Sequence, residues 1–193
     1  MSQERAQEKS LEHYRIDAAA SKFTAQAFAE GLFSAFGHDP VVGIRDFQGE
    51  AQFVPGTFAN ASLKLTINVR SLAVVNDVKE KDRQEIERMM QGEVLESNKY
   101  PEIVFESSNI ALTRLGEGRY RARVIGALTL HGVTQNNLWL NGEVSIDSGG
   151  IRTRGEFALK QTDFKIKPVS VAGGTLKLKN EVKCWFDVVW RNG

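Results

Sequence analysis

The chain is short of cysteine, histidine and long hydrophobic runs, and each shortage excludes something. A single cysteine, Cys184, among 193 residues rules out an intramolecular disulfide framework. Three histidines beside that one thiol leave little material for a zinc site. No apolar stretch approaches the ~20 residues that a membrane-spanning helix needs, so stable membrane insertion is not expected. Neither charge is in excess: 25 Lys and Arg stand against 24 Asp and Glu. That balance argues against nucleic acid as a partner, since such binding is dominated by cationic surface. The opening residues, MSQERAQEKS, are charged and lack the apolar core of a secretory signal, so a cytoplasmic setting is expected. Gly-x-Ser-x-Gly, a phosphate loop and the dinucleotide glycine fingerprint are all missing.

What the chain does have is alternation. Its 41% hydrophobic and 25% charged residues are ordinary globular values, and its length fits one domain, read here as 13–193 behind a tail over 1–12. Phe23, Ala25 and Ala27 alternate with Lys22, Thr24 and Gln26, and Leu63, Leu65 and Ile67 with Lys64 and Thr66. Ala122, Val124, Gly126 and Leu128 oppose Arg121 and Arg123, and Leu138, Leu140 and Val144 oppose Trp139 and Asn141. Val182, Cys184, Phe186, Val188 and Trp190 share a parity near the end, where Cys184 reads as an inert buried thiol. Further strand-like segments lie around 41–54, 102–113 and 151–160, with Phe105 and Phe157 as inward candidates. Turn signals such as Pro55-Gly56, His131-Gly132 and Ser148-Gly149-Gly150 separate these runs. About eight strands, each with one apolar face and joined by short turns, predict an all-β fold. An antiparallel barrel is preferred to a sandwich because closure removes exposed edges.

One segment has a different period. Over 77–91, Val78, Ile86, Met89 and Met90 form a narrow stripe in dense charge, Asp77 and Glu80 suggest a capping box, and Gly92 suggests an end. This predicts a single helix covering an opening or side of the barrel.

Candidate chemistry is sparse. His38 and Asp39 are adjacent, and His131 lies in a hairpin, so a metal-dependent or hydrolytic site using the three is one reading. The outward row Arg119, Arg121, Arg123, with Arg152 and Arg154, reads as a solvated sheet face rather than an anion patch. The interior mixes large residues with small ones at mid-strand, and small residues in a solid core would leave costly voids. A ligand-holding barrel accounts for them. The expected wall is Phe23, Ala25, Ala27, Leu65, Ile67, Phe105, Ala122, Val124, Gly126, Leu140, Phe157 and Phe186, with Leu32, Phe33 and Phe36 at a glycine-bounded entrance over 31–37.

Five passages carry a family resemblance: Tyr14-Arg-Ile-Asp17 followed by Ser21; Phe47-Gln-Gly49 ahead of Phe53; Asn98-Lys-Tyr-Pro-Glu-Ile-Val-Phe-Glu-Ser107; Gly126-Ala-Leu-Thr-Leu-His-Gly-Val-Thr134; and Gln161-Thr-Asp-Phe-Lys-Ile166. In this combination and order the chain, from about Tyr14 to Trp190, resembles the YceI-like family of lipocalin-like polyisoprenoid-binding proteins. The resemblance implies an eight-stranded lipocalin-like barrel with a helix in a long connection. It further implies an elongated apolar cavity for a non-covalently bound isoprenoid or fatty-acid-like lipid, a homodimer, and no catalysis. Carriage or sequestration of that lipid is the leading expectation. The histidine-based enzyme, and a ligand-free interaction module working through the charged helix, stand as alternatives.

Overall fold

The computed structural model describes residues 10–30, 39–171 and 176–193. Twelve strand segments, all paired antiparallel, run β1 (Glu12–Ile16), β2 (Lys22–Glu30), β3 (Val41–Ile44), β4 (Phe47–Val54), β5 (Ala59–Asn68), β6 (Leu72–Val74), β7 (Glu102–Gly116), β8 (Arg119–Leu130), β9 (Val133–Asp147), β10 (Gly150–Lys160), β11 (Ser170–Val171) and β12 (Leu176–Asn192). Six of them are halves of interrupted strands. β1 and β2 pair with successive parts of β12, β4 and β3 with successive parts of β1 and β2, and β5 and β6 with β4 and β3. Counted in this way, eight strands meander in chain order, and the pairing of β1 and β2 with β12 closes the barrel. The first strand begins at Glu12, one residue inside the segment expected to be a tail.

The interruptions have local causes. Asp17 accepts from the Ala20 amide (3.2 Å) and caps a single 3-10 turn, Ala18–Ala20. The Ser21 hydroxyl then donates to the Asp17 carbonyl (2.7 Å) and accepts from the Val189 amide (2.9 Å), returning the chain to β12. Asn68 caps a second 3-10 turn, Val69–Ser71, through the Arg70 amide (3.0 Å). The turn between β8 and β9 has positive φ at both His131 (52°) and Gly132 (70°), the geometry that suits a two-residue hairpin.

Apolar residues pack at two places. The lower cluster, near the β8 start and β12 end, buries Ala122, Val144, Ile151, Val188 and Trp190. The upper one buries Phe105, Leu128, Leu130, Phe164 and Ile166 beneath the 161–166 turn. Between them the inward residues Leu65, Val124 and Leu140 are only half-buried, while Lys64, Arg123 and Asn141 are exposed. The outer face interleaves its charges: Arg121, Glu143, Arg154 and Asp187 stand side by side across four strands. Asp187 takes bonds from both Arg152 (2.6 and 2.7 Å) and Arg154 (3.0 Å), which hold its carboxyl below the usual range. Arg152 and Arg154 of the row are therefore paired with Asp187 on the sheet surface.

The helix α1 spans Glu80–Met89 and runs on through a π-turn, Met90–Val94, so Gly92 does not end it. The expected Asp77–Glu80 capping box is not formed, because the N-cap is Lys79, without a side-chain cap. The polar face of α1 is instead turned on the free edge of β6. Glu87 accepts from the Val74 amide (2.8 Å), Arg83 donates to the Val74 carbonyl, and Gln91 donates to the Val69 and Leu72 carbonyls (3.0 and 3.2 Å). Three side chains thus replace the strand that β6 lacks on that side. Glu87→Ala leaves the amide of buried Val74 without its acceptor, and we expect a loss of about 1–3 kcal/mol in urea unfolding.

Candidate functional site

A cavity of about 850 Å³ occupies the barrel between the two clusters, at the upper end of the ~300–1,000 Å³ typical of ligand sites. Its wall follows from strand parity: Phe23, Ala25 and Ala27 of β2, Leu63, Leu65 and Ile67 of β5, Phe105 of β7, Ala122 and Val124 of β8, Leu140 of β9, Phe157 of β10 and Phe186 of β12 all line it. Eleven of the twelve residues expected on the strands are brought together here. Gly126 is the exception. A Cβ at Gly126 would meet the Glu106 carbonyl and the Phe105 ring (Cζ, 2.5 Å), so the ring already covers the glycine. Phe186 does the same for Gly155 (2.5 Å) and Gly142 (3.3 Å), its neighbours across the sheet. Part of the small-residue content thus serves ring-over-glycine packing, and only part makes room. Leu32, Phe33, Phe36 and the expected entrance over 31–37, with His38, lie outside the described residues.

At its upper end the cavity reaches α1, whose Ile86, Met89 and Met90 face it, as the narrow apolar stripe implied. Asp82, Glu85 and Lys177 also stand at this end. At its lower end the wall becomes aromatic. Tyr14 stacks on Phe53 (centroids 4.9 Å apart), Phe53 meets Phe58 (5.4 Å), and Phe58 meets Tyr120 edge-on (4.9 Å). Burial, then the hydrogen bond to Glu12 (2.5 Å), pushes the Tyr14 hydroxyl up to about 12. Phe58 was not foreseeable from alternation, because it sits in the turn between β4 and β5; only the Pro55-Gly56 signal marked the place.

Polar groups in the wall are mostly committed to the protein. Thr153 accepts from the Trp190 indole (3.1 Å), and the amide nitrogen of buried Gln161 donates to the Lys179 carbonyl (2.9 Å). Cys184 is half-buried on the wall, opposite Ala25 and Phe157, rather than enclosed in a packed core. Its desolvation pushes the thiol up to about 12, so it stays protonated.

The histidine site is not assembled among the described residues. Both ring nitrogens of His131 are engaged, Nε2 with Glu96 (2.7 Å) and Nδ1 with the Phe164 carbonyl (3.2 Å), and its ring rests against Tyr100 (4.6 Å). This pins the β8–β9 turn to the segment after α1 and to the 161–164 turn. Asp39 accepts from the Ala29 amide (2.7 Å) and serves the β2–β3 pairing. No group of three or more His, Cys, Asp or Glu placed to hold a metal occurs among the described residues.

A lipocalin-like barrel with an apolar cavity is the class that this fold and site define. The model of the YceI-like domain matches residues 14–190, and the chain belongs to that family. Similar solved structures include Burkholderia cenocepacia BcnA, with 21% identity over 90% of this chain and 98% of that one, and a TM-score of 0.69. A polyisoprenoid binding domain from Saccharophagus degradans, implicated in plant cell wall breakdown, has 14% identity over 93% and 98%, with a TM-score of 0.65. A Campylobacter jejuni YceI protein has 20% identity over 81% and 86%, with a TM-score of 0.58. A search of curated proteins finds no match.

The wall itself indicates where to obstruct the cavity. Ala122 is buried within the lower cluster, whereas Ala25 lines the cavity and belongs to neither cluster. Ala25→Phe should keep its melting temperature close to the parent's and lose at least about tenfold in affinity for geranylgeraniol, measured by displacement of a fluorescent fatty acid. A large drop in melting temperature would mean that the space beside Ala25 is already filled.

Proposed function

We propose that the protein binds an isoprenoid or similar amphiphilic lipid in the barrel, non-covalently, and carries or sequesters it. The observation behind this reading is the shape and polarity of the cavity, a long apolar wall with Asp82, Glu85 and Lys177 at the α1 end. An apolar chain enters the barrel, and its polar end stays beside α1, where charge and water are within reach. Each isoprene unit buried contributes roughly 3–4 kcal/mol gross at ~0.8 kcal/mol per methylene-sized group. Ordering of the chain and lost translation offset much of this. Several units suffice for about micromolar binding. The polyisoprenoid-binding Saccharophagus degradans domain of the same fold supports the choice of ligand class. Binding without catalysis, and pairing of two copies, belong to the same proposal.

Solvent extraction of the purified protein, followed by mass spectrometry, tests it. A prenyl or long-chain acyl compound should be recovered in a fixed ratio to protein. Recovery of none, together with failure to bind added geranylgeraniol, would contradict the reading.

A further inference from the structure

The lower end of the cavity holds a residue in a conformation its type disfavours. Phe58 has φ of 56°, in the left-handed region, in the turn that joins Val54 to Ala59. Its amide donates to the Val54 carbonyl (2.8 Å), which fixes the turn around it. Glycine or asparagine meets such a backbone without strain, whereas a bulky aromatic there is an outlier that its surroundings must hold in place. The compensation is visible in the ring, which lies in the cavity wall between Phe53 (5.4 Å) and Tyr120 (4.9 Å, edge-on). The strand ends converge here: β1 begins, β5 begins, β7 ends and β8 begins at this end of the barrel, opposite α1. A chain with its polar end beside α1 therefore meets the Phe58 ring with its tail.

We infer that Phe58 is a specificity-determining residue that sets the length of chain the barrel accepts. The inference rests on the lipid-binding reading and adds to it a direction and a stop. Because Phe58 projects from a turn and not from a strand, truncating it lengthens the cavity without removing a member of the sheet.

The test compares parent, Phe58→Ala and Phe58→Trp against farnesol, geranylgeraniol and longer polyprenols, with affinity read by displacement of a fluorescent fatty acid and folding by circular dichroism. The first alcohol too long for the parent should bind Phe58→Ala about tenfold tighter than it binds the parent, with shorter alcohols within a few-fold. Phe58→Trp should move the preference to shorter alcohols. An unchanged length profile in the folded variants overturns the inference, and so does a uniform loss at every length, which would make Phe58 a seal and not a gauge. Should Phe58→Ala fail to fold, Phe58→Leu gives the same comparison with a smaller step. A parent that binds no prenyl alcohol of any length fails the lipid-binding reading itself, a result distinct from either.

Discussion

Strand β12 is held along both edges, by β10 on one side and by β2 and then β1 on the other, and the cavity depends on this double pairing. Without it the sheet would be an open meander with its apolar face wet. The closing contact falls at Trp190, which lies between Ile16 and Ile151 across the sheet and is 6% exposed. Asp17 and Ser21 make it possible. Their turn gives the first strand a step, so that β1 and β2 can follow different stretches of β12.

Closure alone would permit a solid barrel. The cavity arises because the fully buried apolar residues gather toward the two ends, while wall residues such as Leu65, Val124 and Leu140 pack on one side and stay half-buried toward the space. Voids are costly in close-packed interiors, and a natural chain that keeps one of this size has a use for it. Gly126, Gly142 and Gly155, of which Gly142 alone reaches the cavity, have the place of their missing side chains taken by Phe105 and Phe186, so small residues by themselves are an ambiguous sign of room. The upper end is shaped by polar contacts: Glu87, Arg83 and Gln91 fasten α1 along β6 and leave Ile86 and Met89 for the cavity.

Much of this was legible in the sequence, because a period of two in a closed barrel sorts residues into wall and surface directly. The helix stripe was equally plain. Other features were not. A bulge between Ser107 and Asn109 shifts the parity of β7, so that Phe105 and, further on, Ile110 and Leu112 all face inward. No alternation rule anticipates that shift. The helix start was misjudged because Asp77 and Glu80 have the right spacing for a cap while the chain enters the helix two residues after Asp77, at Lys79. Gly126 looked like part of the wall because its parity is inward, but the ring that covers it comes from the neighbouring strand. The reach of Phe58 depends on a left-handed turn, which hydrophobic pattern does not encode.

The central claim is that a lipid chain lies inside the barrel with its tail at the aromatic end. Tryptophan fluorescence measures this directly, since Trp190 sits at that end in the wall and Trp139 is 54% exposed outside. In a variant with Trp139→Phe and Trp185→Phe, a long-chain alcohol brominated at its methyl end should quench Trp190 strongly on binding, and the same alcohol brominated next to the hydroxyl should quench it weakly. Binding of both alcohols with no quenching of Trp190, or equal quenching by the two, would contradict the account.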